Sequence, residues 1–92
     1  LTDKERAAAE VVYRALCAAR DHWDDGERSN VELENIMKSV IASESMATLG
    51  YAVVVDPDTF ERHAETNITS GAWALIAVTI GTTRLIDNLR LN

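Results

Sequence analysis

Apolar residues recur along this chain with two different periods. In the first quarter Ala8, Val12, Ala15, Leu16, Ala19 and Trp23 return every three or four residues, which is one face of an α-helix. Lys4, Glu10, Arg14, Arg20 and Asp21 fall mainly elsewhere. Thr2 and Glu5 have the spacing of a capping box, and Asp24-Asp25-Gly26 supplies a stop with Gly26 as a left-handed cap. The pattern predicts a helix over 3–24, and its alanines imply close approach to a neighbour rather than deep side-chain packing. After a polar linker from Gly26 to Asn30, Ser29 and Glu32 repeat the capping-box spacing, with Asn30 as an alternative cap. Leu33, Ile36, Met37, Val40 and Ile41 then form a core-facing stripe, with Met37 as core filling, and predict an amphipathic helix over 31–44.

Past a connector at 45–50 the period changes. Tyr51 to Val55 is short, apolar and β-branched, which suits a strand buried on both faces or nearly so. Asp56-Pro57-Asp58-Thr59 ends it in a turn, with Phe60 expected to anchor that turn on the core. Residues 61–71 carry little periodicity and read as a loop with a brief extended piece. The chain is organised around Gly71 to Asn92. Here Ala74, Ile76, Val78 and Ile80 alternate with Trp73, Leu75, Ala77 and Thr79, both sets largely apolar, as in a central strand. Gly81 breaks the run, and Leu85, Asp87, Leu89 and Leu91 then alternate with Arg84, Ile86, Asn88 and Arg90, as in an edge strand. The fold class is α+β, two N-terminal helices packed on a three-stranded antiparallel sheet, in one domain over 1–92.

Charge and cysteine content narrow the classes of function. A net charge of −6 argues against a nucleic-acid partner and against docking on anionic membranes, both of which need clustered Lys and Arg. Cys17 is the single cysteine, so no internal disulfide forms, which fits a reducing compartment. No run approaches the roughly 20 apolar residues of a membrane span, and acidic residues stand where a signal peptide carries basic ones. The expectation is a soluble, cytoplasmic domain. The opening Leu-Thr-Asp-Lys-Glu-Arg, without methionine, suggests a piece of something larger.

No catalytic, cofactor or metal constellation emerges. Cys17 and His22 are five apart on one helix, about 140° around its axis, and do not face each other. The isolated Cys17 reads as a small hydrophobe, and His22 as a residue favoured at a helix carboxyl end. Asp56, Asp58, His63 and Glu65 cluster, but match neither a zinc spacing nor a calcium loop, which needs Gly where Glu61 stands; an Asp-rich turn is the plainer reading. Gly81-Thr82-Thr83 is a tight turn rather than a phosphate loop, since no lysine or helix follows. Arg84, Asp87 and Asn88 are the most interesting polar group. The structural reading pairs Arg84 with a nearby acid and lets Asp87 and Asn88 end or bulge the strand; the functional reading has them meet another domain.

Tyr51-Ala-Val-Val-Val-Asp-Pro-Asp-Thr59, an apolar strand, and Gly81-Thr-Thr-Arg-Leu-Ile-Asp-Asn88 together resemble the end of the pantothenate synthetase (pantoate–β-alanine ligase) family. In that family a "DY…V-D-P-x-T-L" strand precedes an aliphatic strand and "G-x-T-R-L-I-D-N". Leu1-Thr2, Glu5 and Arg6 likewise look like its "Y-L-S/T-x-x-E-R", which follows a serine-rich "S-S-R-N" nucleotide motif. Phe60 replaces the usual Leu, Gly50 stands where Asp is common, and 61–70 follows no pattern of the family. The resemblance implies a two-domain ligase that condenses pantoate with β-alanine through a pantoyl adenylate, using ATP and Mg2+ and releasing AMP and pyrophosphate. It implies a Rossmann-like N-terminal domain carrying the active site and the homodimer surface, and a C-terminal α+β lid. This chain corresponds to the lid, with no family catalytic position, no cofactor bound by this fragment, and no activity expected of it alone. A free-standing adaptor that binds a partner through the sheet's outer face is the alternative. A winged-helix nucleic-acid reader shares the element order but fails on charge.

Overall fold

The computed structural model describes residues 2–63 and 67–92. The first helix, α1 (Asp3–Asp24), starts and stops where its periodicity and caps predict. Thr2 Oγ1 accepts the Glu5 amide at 3.1 Å, and Glu5 Oε1 accepts the Thr2 amide at 2.9 Å, closing the capping box. The Thr2 backbone and hydroxyl bonds hold the Glu5 carboxyl below its ordinary range. At the other end Gly26, at φ 107°, lets its own amide reach Trp23 O and the Glu27 amide reach His22 O. A residue with a Cβ would be strained in that conformation.

The second helix, α2, runs Asn30–Ala42, one residue earlier at its start and two shorter at its end than its stripe predicts. Ser29 caps it by accepting the Glu32 amide. The reciprocal half of the expected box is not made, because the Ser29 amide donates to Glu27 Oε2 instead. Its buried face also differs from the expected stripe. Asn30, Leu33, Glu34, Met37 and Ile41 are buried, while Ile36 and Val40 are only partly covered.

Three strands follow: β1 (Ala47–Val55), β2 (Ala72–Ile80) and β3 (Thr83–Leu91), antiparallel in the order β1-β2-β3. The fold class is as expected, and β2 is the central strand. Two expectations fail at β1. It begins at Ala47, within the segment read as a connector, because Ala47 to Leu49 pair with Ile80 to Val78. A register shift at Gly50 interrupts the ladder, the mark of a β-bulge, and makes a strand of nine residues look like one of five. Nor is β1 buried on both faces: it is an edge strand whose Tyr51 is 37% exposed. At the β2–β3 hairpin, Ile80 pairs with Thr83 across Gly81-Thr82, and Gly81 has φ 62° while Thr82 does not share a positive φ. That is the pattern of a two-residue type II′ turn, which demands glycine first.

Both helices lie on one face of the sheet, α1 against β2 and β3, α2 against β1. The core between the layers comprises Leu16, Leu33, Met37, Ile41, Ile76, Ile80 and Leu91, filled in by Ala8, Ala15, Ala19, Ala52, Ala72 and Ala74. The alanines of α1 meet a sheet that itself carries alanines, so helix and strand backbones approach closely. Glu5, at the start of α1, lies against Gly81, where a Cβ would collide with its carboxylate. The first turn of α1 is thereby seated on the β2–β3 turn.

Candidate functional site

The expected absence of a catalytic constellation directs attention to where the polar residues lie. Cys17 is a free, partly buried thiol, and His22 is exposed in the last turn of α1. Cys17 lies one turn from the exposed Tyr13 and raises the pKa of that phenol, first through a hydrogen bond and then through charge. Among the described residues no group of three or more His, Cys, Asp or Glu is placed to hold a metal. Glu65, which the sequence grouped with Asp56, Asp58 and His63, lies outside the described residues.

Asp56 and His63 do share one feature, a polar hollow lined also by Thr59, Glu61, Arg62, Thr69 and Ser70. Asp56 Oδ1 accepts the amides of Asp58 at 2.8 Å and Thr59 at 3.1 Å, an Asx turn. These bonds, first Asp58's and then Thr59's, hold the Asp56 carboxyl below its ordinary value. Because the folded pKa is depressed, the stabilisation is complete above the unfolded pKa of about 3.9 and is lost as pH falls through the folded value. Asp56→Asn keeps an acceptor oxygen and removes the titration. Urea midpoints measured from neutral to acid pH are expected to differ by a constant amount above about pH 5 and to converge below it. Parallel curves throughout would show that the Asx turn carries no charge-dependent stability.

Sequence reasoning missed what fixes this hollow. Glu34, 4% exposed on the core face of α2, accepts Arg62 Nη2 at 2.6 Å and Arg62 Nε at 2.9 Å, and also takes the Val54 amide at 3.0 Å. The guanidinium raises no solvation problem, since its side chain remains 49% exposed. One turn earlier, the buried Asn30 amide donates to His63 O, and its Oδ1 accepts the Val31 amide. An Arg62–Val55 bridge extends the sheet by one residue pair, the brief extended piece expected of the loop. The signal was present in the pattern: Asn30, Glu34, Met37 and Ile41 share a helical face, so two polar residues sat on a core stripe and needed buried partners.

Arg84, Asp87 and Asn88 do not do what the structural reading proposed. No carboxylate lies within ion-pair distance of Arg84 among the described residues; its guanidinium lies beside Gly50, where a Cβ would be 3.4 Å from Nη1. Asp87 and Asn88 neither end nor bulge β3, which stays in register with β2 through Leu91; Asp87 Oδ1 merely accepts the Asn88 amide. The bulge is on β1, where glycine permits it. Phe60 is corrected too. It is 57% exposed, sits at φ 58°, and stacks at 6.5 Å on Trp73 on the side of the sheet away from the helices. Arg90 lies 5.4 Å over the same ring.

The arrangement is that of a small scaffold with an Asx turn at Asp56–Thr59 and an apolar sheet face that the helices leave uncovered. What such a scaffold belongs to is decided by comparison. The family model described as Pantoate-beta-alanine ligase matches residues 1–90. The chain belongs to the pantoate–β-alanine ligase family. Among its relatives, the pantothenate synthetase of Roseiflexus castenholzii is 44% identical over 96% of this chain, and that of Rubrobacter xylanophilus 43% over 99%. The bifunctional pantoate ligase/cytidylate kinase of Gloeobacter violaceus is 40% identical over 99%. The crystal structure of pantothenate synthetase from Thermus thermophilus superposes over 97% of the chain with a TM-score of 0.85 at 29% identity. The chain spans 31% of the length of the Roseiflexus and Rubrobacter ligases and of the Thermus chain, and the match lies in their C-terminal part. It spans 17% of the bifunctional Gloeobacter protein. The family resemblance read from Gly81 to Asn88 is thus borne out across nearly the whole chain.

Proposed function

We propose that this chain is the C-terminal lid domain of an ATP-dependent pantoate–β-alanine ligase. The observation that carries the reading is the family match over residues 1–90 of a chain that spans only 31% of its ligase relatives. In this reading a Rossmann-like N-terminal domain holds pantoate, β-alanine and ATP with Mg2+, and forms the homodimer of a cytoplasmic, AMP-forming enzyme. The lid's work is to exclude water. A pantoyl adenylate is a mixed anhydride that hydrolyses if solvent reaches it before the amine of β-alanine does, and closure of a cover favours the amine.

The residues of this chain suit a cover rather than a reacting centre. Three of its carboxylates are committed to structure: Glu5 to the α1 cap, Glu34 to Arg62, and Asp56 to its turn. The reading therefore assigns ATP and Mg2+ to the other domain. Incubated alone with ATP, pantoate and β-alanine, the chain is expected to release no AMP, and measurable turnover would sink the lid assignment. Reading the coding sequence upstream of Leu1 separates the lid from a free-standing adaptor. A Rossmann domain ending in a Ser-Ser-Arg-Asn-like motif supports the lid, whereas an initiator methionine directly before Leu1 supports the adaptor.

A further inference from the structure

The helices cover one face of the sheet and leave the other open. Pairing across the ladders assigns that outer face residue by residue: Thr48, Tyr51, Val53 and Val55 from β1, Trp73, Leu75, Ala77 and Thr79 from β2, Arg84, Ile86, Asn88 and Arg90 from β3. Its centre is apolar. Ile86 is 63% exposed and Tyr51 37%, on either side of Ala77, with Leu75 and Trp73 only partly covered beyond them. Phe60 extends the patch over Trp73 from a left-handed backbone conformation that a bulky residue rarely adopts, so the loop holds an aromatic ring in solvent at some conformational cost. Contiguous exposed apolar surface of this kind marks an interaction site.

Charge on this face runs against the rest of the molecule. The protein has fifteen acidic residues and nine Lys or Arg, yet the outer face of the three strands carries Arg84 and Arg90 and not one carboxylate. Neither arginine has an ion-pair partner among the described residues. An aromatic and aliphatic centre flanked by arginines, with no other charge between them, is the composition of the buried part of a protein interface. The face calls for an occupant that is apolar at its middle and acidic at its margin.

We infer that the outer face of the sheet, centred on Tyr51, Trp73 and Ile86, is the surface by which this domain docks on the N-terminal part of its ligase polypeptide. This rests on the lid reading and adds to it the face that is turned inward. Two observations select this occupant. The relatives carry more than twice this length of chain ahead of the matched segment, so each lid has a tethered neighbour at high effective concentration. The start of α1, where that neighbour connects, is seated on Gly81, at the end of the sheet where Thr79 and Arg84 pair on the outer face.

The experiment is hydroxyl-radical footprinting read by mass spectrometry. It compares the isolated chain with a full-length chimera in which this chain replaces the matching C-terminal part of the Roseiflexus castenholzii ligase. Oxidation of Tyr51, Phe60 and Trp73 is expected to fall severalfold in the chimera, while Tyr13, 63% exposed on α1, is oxidised as before. Ile86→Glu in the chimera should restore oxidation of the three aromatic residues and lower kcat/KM by about tenfold. A chimera that makes pantothenate with Tyr51 and Trp73 still fully oxidised overturns the docking face and leaves the lid reading intact. An inactive chimera with the face protected removes the lid function and keeps the docking surface; inactive and unprotected, it removes both. Protection of Tyr13 instead would turn the helical face inward and overturn the inference. Protection of Tyr51 in the isolated chain as its concentration rises would make a second copy the occupant, and would also overturn it.

Discussion

Arg62→Ala is expected to lower the urea midpoint of this domain by more than its half-exposed side chain suggests. The reason lies with the partner. Glu34 is buried at 4% exposure on α2, and removing the guanidinium strands its carboxylate with the Val54 amide as its remaining bond. Breaking the pair from the Arg62 side leaves the buried carboxylate uncompensated, and solvent near Arg62 keeps the cost below that of a fully buried pair. Glu34→Ala should cost less, about 1–3 kcal/mol, because the freed Arg62 can turn to water and only the Val54 amide loses its acceptor. The double variant should resemble Glu34→Ala alone. An Arg62→Ala midpoint indistinguishable from that of the parent would class the pair with ordinary surface ion pairs.

Ile76→Ala is expected to cost about 4 kcal/mol, enough to leave the fold marginal. Ile76 is fully buried at the middle of the central strand, with Ala52 and Asp87 as its cross-strand neighbours. Large-to-small substitutions in cores cost about 2–5 kcal/mol, and the value depends on whether neighbours can collapse into the space. Here they cannot readily do so. Much of the surrounding core is alanine, from Ala8, Ala15 and Ala19 on α1 to Ala72 and Ala74 on β2, and alanines have no side chain to swing inward. Against a total of about 5–14 kcal/mol for a chain of this length, that loss is a large fraction. Thermal unfolding followed through Trp23, which is buried in the same core, measures it. A cost below about 1 kcal/mol would mean that the layers close over the cavity.

How much of this was legible follows from how far each signal reaches along the chain. The α1 helix needs only local information: a helical period, a capping box and Gly26, and its bounds are read to the residue. The first half of β1 is lost because Thr48 and Gly50 look like a connector. What makes that segment strand is pairing of Thr48 and Leu49 with Thr79 and Val78, far along the chain, with glycine absorbing the shift. Asn30 and Glu34 are passed over for a similar reason, since their partners are His63 and Arg62 in a loop without periodicity. The apolar outer side of β2 misleads in another way. Trp73 and Leu75 complete a second apolar set that marks β2 as the central strand, which it is, but the alternation does not say which of the two sides the helices cover. That excess of apolar residues on the outer side is the sequence feature on which the proposed docking face rests.

The seating of Glu5 on Gly81 has a consequence for the order in which the fold is built. Within this segment α1 rests against the β2–β3 hairpin, far from it in sequence, and Leu91 is fully buried in the core that the helices close. As this segment leaves the ribosome, α1 and α2 can pack on each other and α2 on β1 before β3 is available, while the contacts of α1 with β3 and the burial of Leu91 wait for the last strand.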